Sequence, residues 1–169
     1  MKKFFVIFLV IFSMIVNPLQ TKAVTITGGI EKSDLVPTGF YGSWQVMAVR
    51  VQTTNTSMFV PYSTEIWNLS KDGNVITLEN PISGASASIA IKDATKETFT
   101  FQRITGDKKE ETVTETATLT LNGDSFFGCD TMVVRTYRNG QLVKTENVKY
   151  NLQARKISGS NIKNIFSVK

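Results

Sequence analysis

The 169-residue chain has no His and one Cys, and these counts remove most catalytic and metal chemistry. Without imidazole there is no Ser-His-Asp triad, no Cys-His pair and no histidine ligand for zinc or haem. Cys129 alone closes no internal disulfide and builds no multi-thiolate metal site. It reads as a small buried hydrophobe rather than a nucleophile, because no neighbouring motif would stabilise a thiolate. Carboxylates are what remains. Asp124 and Asp130 flank a Phe-Phe-Gly-Cys segment, and Glu110 adjoins Glu111. Glycosidases need two carboxyl groups across a cleft, and nothing here singles out a pair. The chain is therefore expected not to be an enzyme. Asp72-Gly73-Asn74 and Asn122-Gly123-Asp124 carry oxygen donors on tight turns, whereas calcium wants more donors at fixed spacing. No metal and no cofactor are expected. Asn55-Thr56-Ser57 and Asn68-Leu69-Ser70 fit the N-glycosylation pattern, which matters only in a eukaryotic secretory pathway.

Binding is the other chemistry open to these residues. If Trp44 points inward along an extended strand, so do Val46, Ala48 and Arg50. Continuing Phe99 and Phe101 by two places Arg103 on the same side, and Glu65 shares a face with Trp67 and Leu69. An interior with Arg50, Arg103 and Glu65 among aromatic rings would suit a small amphipathic or anionic ligand. The competing arrangement sets these charges at strand ends, where they meet water. A buried unpaired Arg is costly, so an interior one must meet an acid, water or a ligand.

The elements that must position these residues read at period two. Alternating runs cover Tyr41 to Thr54, Tyr62 to Leu69, Val75 to Glu79, Ala85 to Lys92, Glu97 to Thr105, Glu111 to Leu121, Ser125 to Tyr137 and Leu142 to Ala154. Asp72-Gly73, Gly106-Asp107, Asn122-Gly123 and Asn139-Gly140 supply turn chemistry between them. Residues 161–168 fit either a short helical turn or a closing edge strand. Ile76 and Leu78, Ala85 to Ile91 in alternation, Val113, Ala117, Leu119 and Leu121, and Val148 to Ala154 in alternation form the expected core faces. The outward row Thr112, Thr114, Thr116, Thr118 and Thr120 reads as a solvated β face, since Thr has high strand propensity. Eight consecutive strands with short connections avoid exposed edges by closing. The expected fold is all-β, an eight-stranded up-and-down antiparallel barrel, with a two-sheet β-sandwich as the alternative. The polar connection Thr53 to Pro61, ending in Met58, Phe59 and Val60, is expected to lie over the mouth as a lid.

Gly42-Ser43-Trp44, opening the first strand, resembles the Gly-x-Trp signature of lipocalins and their barrel relatives. The resemblance implies that Trp44 closes one end of the barrel under a basic residue from the last strand, a cation–π contact. Arg155 is the matching candidate and Lys156 the fallback. Three departures stand beside it: the sixth-to-seventh turn reads Asn122-Gly123-Asp124 instead of a Thr-Asp-Tyr type motif, the usual disulfide is missing, and the expected C-terminal helix is at most one or two turns.

Met1-Lys2-Lys3, the apolar run Phe4 to Val16, and Thr21-Lys22-Ala23 read as a secretory signal peptide over residues 1–23, leaving one domain over 24–169. The apolar run is shorter than the roughly 20 residues of a membrane span. Removing Lys2, Lys3 and Lys22 takes the net charge from +5 to +2, which argues for neither nucleic acid nor an anionic membrane. The expectation is a secreted or periplasmic, non-catalytic protein holding a small apolar or amphipathic ligand. Arg50, Trp67, Phe99, Phe101 and Arg103 line the site, with Trp44 and Arg155 structural. The alternative is a cell-envelope or extracellular interaction module with a filled core. Eight strands permit either.

Overall fold

The computed structural model describes residues 30–158, so the expected signal peptide and the 161–168 segment lie outside the described residues. The strands are β1 (Gly42–Thr53), β2 (Tyr62–Asp72), β3 (Val75–Asn80), β4 (Ala85–Ala94), β5 (Thr98–Gly106), β6 (Glu111–Asn122), β7 (Ser125–Arg138) and β8 (Gln141–Ser158). Each pairs antiparallel with the next, and β1 also pairs with β8, so the sheet closes as an eight-stranded barrel. The sandwich alternative is thereby excluded. Closure leaves no unpaired edge for another chain to extend.

Local sequence explains the turns. Asn139 and Gly140 both hold positive φ, 53° and 75°, between β7 and β8. That is the backbone of a tight hairpin turn whose twist matches the flanking strands, and Asn-Gly reaches it at little cost. β8 runs past the expected end at Ala154 to Ser158, because β1 pairs with it as far as Ser43↔Ser158.

Alternation places the core as expected. Trp44, Val46 and Ala48 are buried on β1, while Gln45, Met47 and Val49 face out. Val148, Tyr150, Leu152 and Ala154 do the same on β8. The Thr row lies on the outer wall, with Thr112 buried at its end. Its hydroxyls pair across strands, Thr100 with Thr118 at 2.9 Å and Thr98 with Thr120 at 3.3 Å, so the row braces the wall.

The two ends differ. Where β1 begins and β8 ends, the chain N-terminal to β1 folds into short 3-10 turns, Ile30–Leu35 and Thr38–Phe40. They bury Val36 and Phe40 in the barrel core. The other end is covered by the connection between β1 and β2.

Candidate functional site

The interior divides into an apolar end and a polar end. At the apolar end Phe40 meets Phe99 edge-on, with ring centres 4.6 Å apart, and Trp44 lies 4.9 Å from Phe126. The Trp44 indole Nε1 donates to the Phe40 carbonyl at 2.8 Å, which satisfies the one polar atom of a fully buried ring. The cation over Trp44 is Lys156, with Nζ 5.2 Å from the ring centre and donating to the Gly39 carbonyl at 2.9 Å. Arg155, the expected partner, is exposed on the outer wall. Period two gives the reason: Ala154 points inward, so Arg155 points outward and Lys156 returns to the inward side.

The polar end begins one ring further along. The pairing register sets Phe101, Ala117, Asp130, Tyr150 and Arg50 in one circuit of the barrel. Arg103, Glu115, Met132 and Val148 form the next circuit, nearer the covering loop. Arg103 Nε donates to Glu115 Oε2 in a buried ion pair, the side chains being 11% and 1% exposed. Glu65 is buried on β2 and accepts from the Trp67 indole at 3.3 Å. Asp130 is 0% exposed. Neither of its carboxyl oxygens makes a hydrogen bond of ordinary geometry among the described residues, although the Thr131 backbone amide acts weakly on the carboxyl, and Glu115 Oε1 has no partner either.

Burial is the largest influence on these acids. It pushes the Asp130 carboxyl well above the usual carboxylate range, repulsion from Glu115 and Glu65 pushes the same way, and Arg103 opposes. Burial also raises Glu115, against the pull of the Arg103 guanidinium. The Tyr150 phenol is pushed up to about 12, chiefly by burial.

The β1–β2 loop closes this end. Phe59 is 1% exposed and joins the core, with Met58 packed against it. Arg50 Nη1 donates to the Phe59 carbonyl and, at 3.3 Å, to that of Thr56. The Tyr150 hydroxyl donates to the Val60 carbonyl at 3.1 Å. Asn55 caps the loop's own turn, accepting from the Ser57 and Met58 amides at 3.0 and 3.1 Å, and its Nδ2 donates to Glu146. The loop is thus held by side chains from β1 and β8, the two strands whose pairing closes the barrel.

Of the residues expected to line a site, Trp67, Phe99 and Phe101 are fully buried and Arg103 is inside with Glu115. Arg50 is half-buried at the mouth and holds the loop. Sequence reasoning missed Glu115, which shares the parity of Val113, Ala117 and Leu119 and so had a readable signal. In the sequence Asp130 stands out only as half of a carboxylate pair with Asp124. Its inward direction follows from Phe126 by the same alternation.

On the outer wall, a shallow hollow of about 520 Å³ is lined by Gln45, Met47, Thr64, Phe127, Gln153 and Arg155, among others. Among the described residues no helix is long and apolar enough to cross a membrane. No group of three or more His, Cys, Asp or Glu among them could hold a metal ion.

No family model and no curated protein matches this chain. A solved structure described as "Structure of EF1p2_mFAP2b bound to DFHBI" is similar at 11% identity and a TM-score of 0.39, covering 76% of this chain and 99% of that one. At that distance the functional reading rests on this chain's own residues.

Proposed function

We propose that the protein is an exported, non-catalytic binding protein whose barrel takes a small amphipathic ligand through the end covered by residues 54–61. The observation that carries this is Asp130, a fully buried carboxyl whose oxygens make no hydrogen bond of ordinary geometry among the described residues. A buried polar group without a hydrogen bond costs about 1–3 kcal/mol, and an apolar residue of similar shape would avoid that cost. Such a group earns its place where something comes to meet it. The ligand would enter when Phe59 swings out and Arg50 and Tyr150 release the loop carbonyls. Its apolar part would take the space of Phe59, and its polar part would reach the acids and Arg103 below.

The filled-barrel alternative is supported by different residues. Trp44, Trp67, Phe99, Phe101 and Tyr150 leave the interior well packed, and the outer hollow presents Phe127 and Met47 at 53% and 43% exposure. In that reading the wall, not the interior, meets a partner.

Native mass spectrometry of protein from its own exported fraction separates the two readings. The ligand reading expects an added mass that disappears on denaturation. A bare chain that also takes up no member of a panel of small amphipathic compounds overturns it and leaves the wall as the working surface.

A further inference from the structure

The polar end of the barrel is unbalanced in one direction. Glu65, Glu115 and Asp130 bring three carboxyls inside. Arg103 gives its Nε to Glu115, and Arg50 gives Nη1 to two loop carbonyls. Both oxygens of Asp130 and Oε1 of Glu115 have no hydrogen-bond partner of ordinary geometry among the described residues, and neither does the Ser63 hydroxyl two residues before Glu65. Oε1 of Glu115 and, once its proton is lost, both oxygens of Asp130 call for a ligand that donates. An anionic head group would instead add a negative charge to an interior that already sets three carboxyls against the guanidiniums of Arg103 and Arg50, so the anionic option falls away. A metal ion does not suit the geometry, because no three acids among the described residues converge as ligands. The surroundings ask for an apolar body as well, since Phe101 shares the circuit of Asp130 and Phe59 covers the mouth.

We propose that the ligand is an organic amine, a protonated ammonium on a compact aromatic or apolar body, donating to Asp130 and to Glu115 Oε1. This rests on the ligand-binding reading above. The groups facing Asp130 are Arg103 from β5, Glu115 from β6, Tyr150 from β8, Glu65 from β2 and, beside Tyr150 at the mouth, Arg50 from β1. In the free barrel, burial and the other acids push the Asp130 carboxyl towards its protonated form, against the pull of Arg103. An ammonium against that carboxyl favours its ionised form. Binding therefore releases a proton, and affinity rises with pH until the free protein has itself lost that proton.

The test uses the whole protein and three probes with one body: 2-phenylethylammonium, 2-phenylethanol and phenylacetate, followed by calorimetry in two buffers of different ionisation heat. The amine should bind at least about tenfold more tightly than the alcohol, the size expected of a hydrogen bond to a charged group, with the carboxylate weakest. Its binding heat should show a released proton. Asp130→Asn should reduce the amine's advantage to less than about threefold while alcohol binding persists. Glu115→Gln, which keeps a partner for Arg103, is the second variant if the first does not fold. Alcohol and amine binding equally would overturn the amine assignment and leave the ligand-binding reading standing. An amine preference that survives both variants would overturn the assignment to these acids. Binding of none of the three, nor of any compound in the amphipathic panel, would remove the ligand reading itself.

Discussion

Asp130→Asn has a second consequence, for stability and its dependence on pH, that needs no ligand. Asp130 is fully buried, and its carboxyl is raised well above the usual range by burial first and by Glu115 and Glu65 next. In the unfolded chain the same group titrates near 3.9. Between these two values the folded protein holds a proton that the unfolded chain has lost. The folded state then binds more protons, so stability falls as pH rises through that window and levels off above the folded value. The slope for one such group is roughly 1 to 2 kcal/mol per pH unit. The Asn variant has no proton to lose there. Below the window the two proteins should have similar stability, since a protonated Asp and an Asn are near-isosteric. Across it the variant should gain on the wild type unit by unit. Part of the slope belongs to Glu115, because it repels the Asp130 charge and the two acids titrate together. Urea unfolding of both proteins at steps from about pH 4 to about pH 8 measures the difference directly. A difference that stays flat across that range refutes the claim that Asp130 is buried and protonated, and with it the account of the interior.

Four further outcomes follow from the packing. Trp44→Ala should cost about 3–5 kcal/mol in chemical denaturation, as a fully buried indole between Phe40 and Phe126 requires. Lys156→Met should cost about 1–2 kcal/mol through loss of the ring contact and the Gly39 hydrogen bond, whereas Arg155→Met should stay within about 0.5 kcal/mol. Equal costs for those two would contradict the placement of Lys156. Gly128→Ala should cost about 3 kcal/mol, because a Cβ there would stand 2.1 Å from the Thr118 carbonyl oxygen on the paired strand. Phe59→Ala should lower the melting temperature yet tighten binding of an interior ligand, since the ligand no longer has to displace a ring worth about 1.5–3 kcal/mol of burial. Loss of binding in that variant would show that Phe59 belongs to the site rather than covering it.

The strand count, the order and the core faces were legible because they are carried by a local signal. Alternation over Val148 to Ala154, or turn chemistry at Asn139-Gly140, needs no knowledge of distant residues. Closure was less direct: it followed from the cost of exposed edges and not from any one residue. The polar site was only half legible. Arg103 and Glu65 announced themselves beside Phe101 and Trp67. Glu115 sits in a Thr-rich run, where a charged residue reads as part of the solvated face even though its parity points inward. Which acids meet also depends on the register between strands, Arg103↔Glu115 and Ala117↔Asp130, and register is set by the closed sheet as a whole. The Arg155 error has the opposite origin. Family resemblance suggested a basic residue, and strict alternation alone would have selected Lys156.

The two ends of this barrel make opposite use of the same alternation. At the end closed by Phe40, the Trp44 indole has its partner and Lys156 ties the ring to the Gly39 carbonyl, although the neighbouring Tyr41 hydroxyl is buried without a hydrogen bond among the described residues. Such packing resists opening, because each group that left would lose both area and a hydrogen bond. At the other end the cover is a loop, tied to the barrel through carbonyls held by Arg50 and Tyr150 and through Asn55 Nδ2 on Glu146. Those bonds can be exchanged for water without stranding a charge in the core, since Arg50 is already half-exposed. What lies beneath is the set of unanswered acceptors on Asp130 and Glu115. A barrel built only to be a solid core would place its weakest cover elsewhere and fill the acid positions with apolar side chains. The coincidence of the movable cover with the unsatisfied acids is the reason to look for a ligand there.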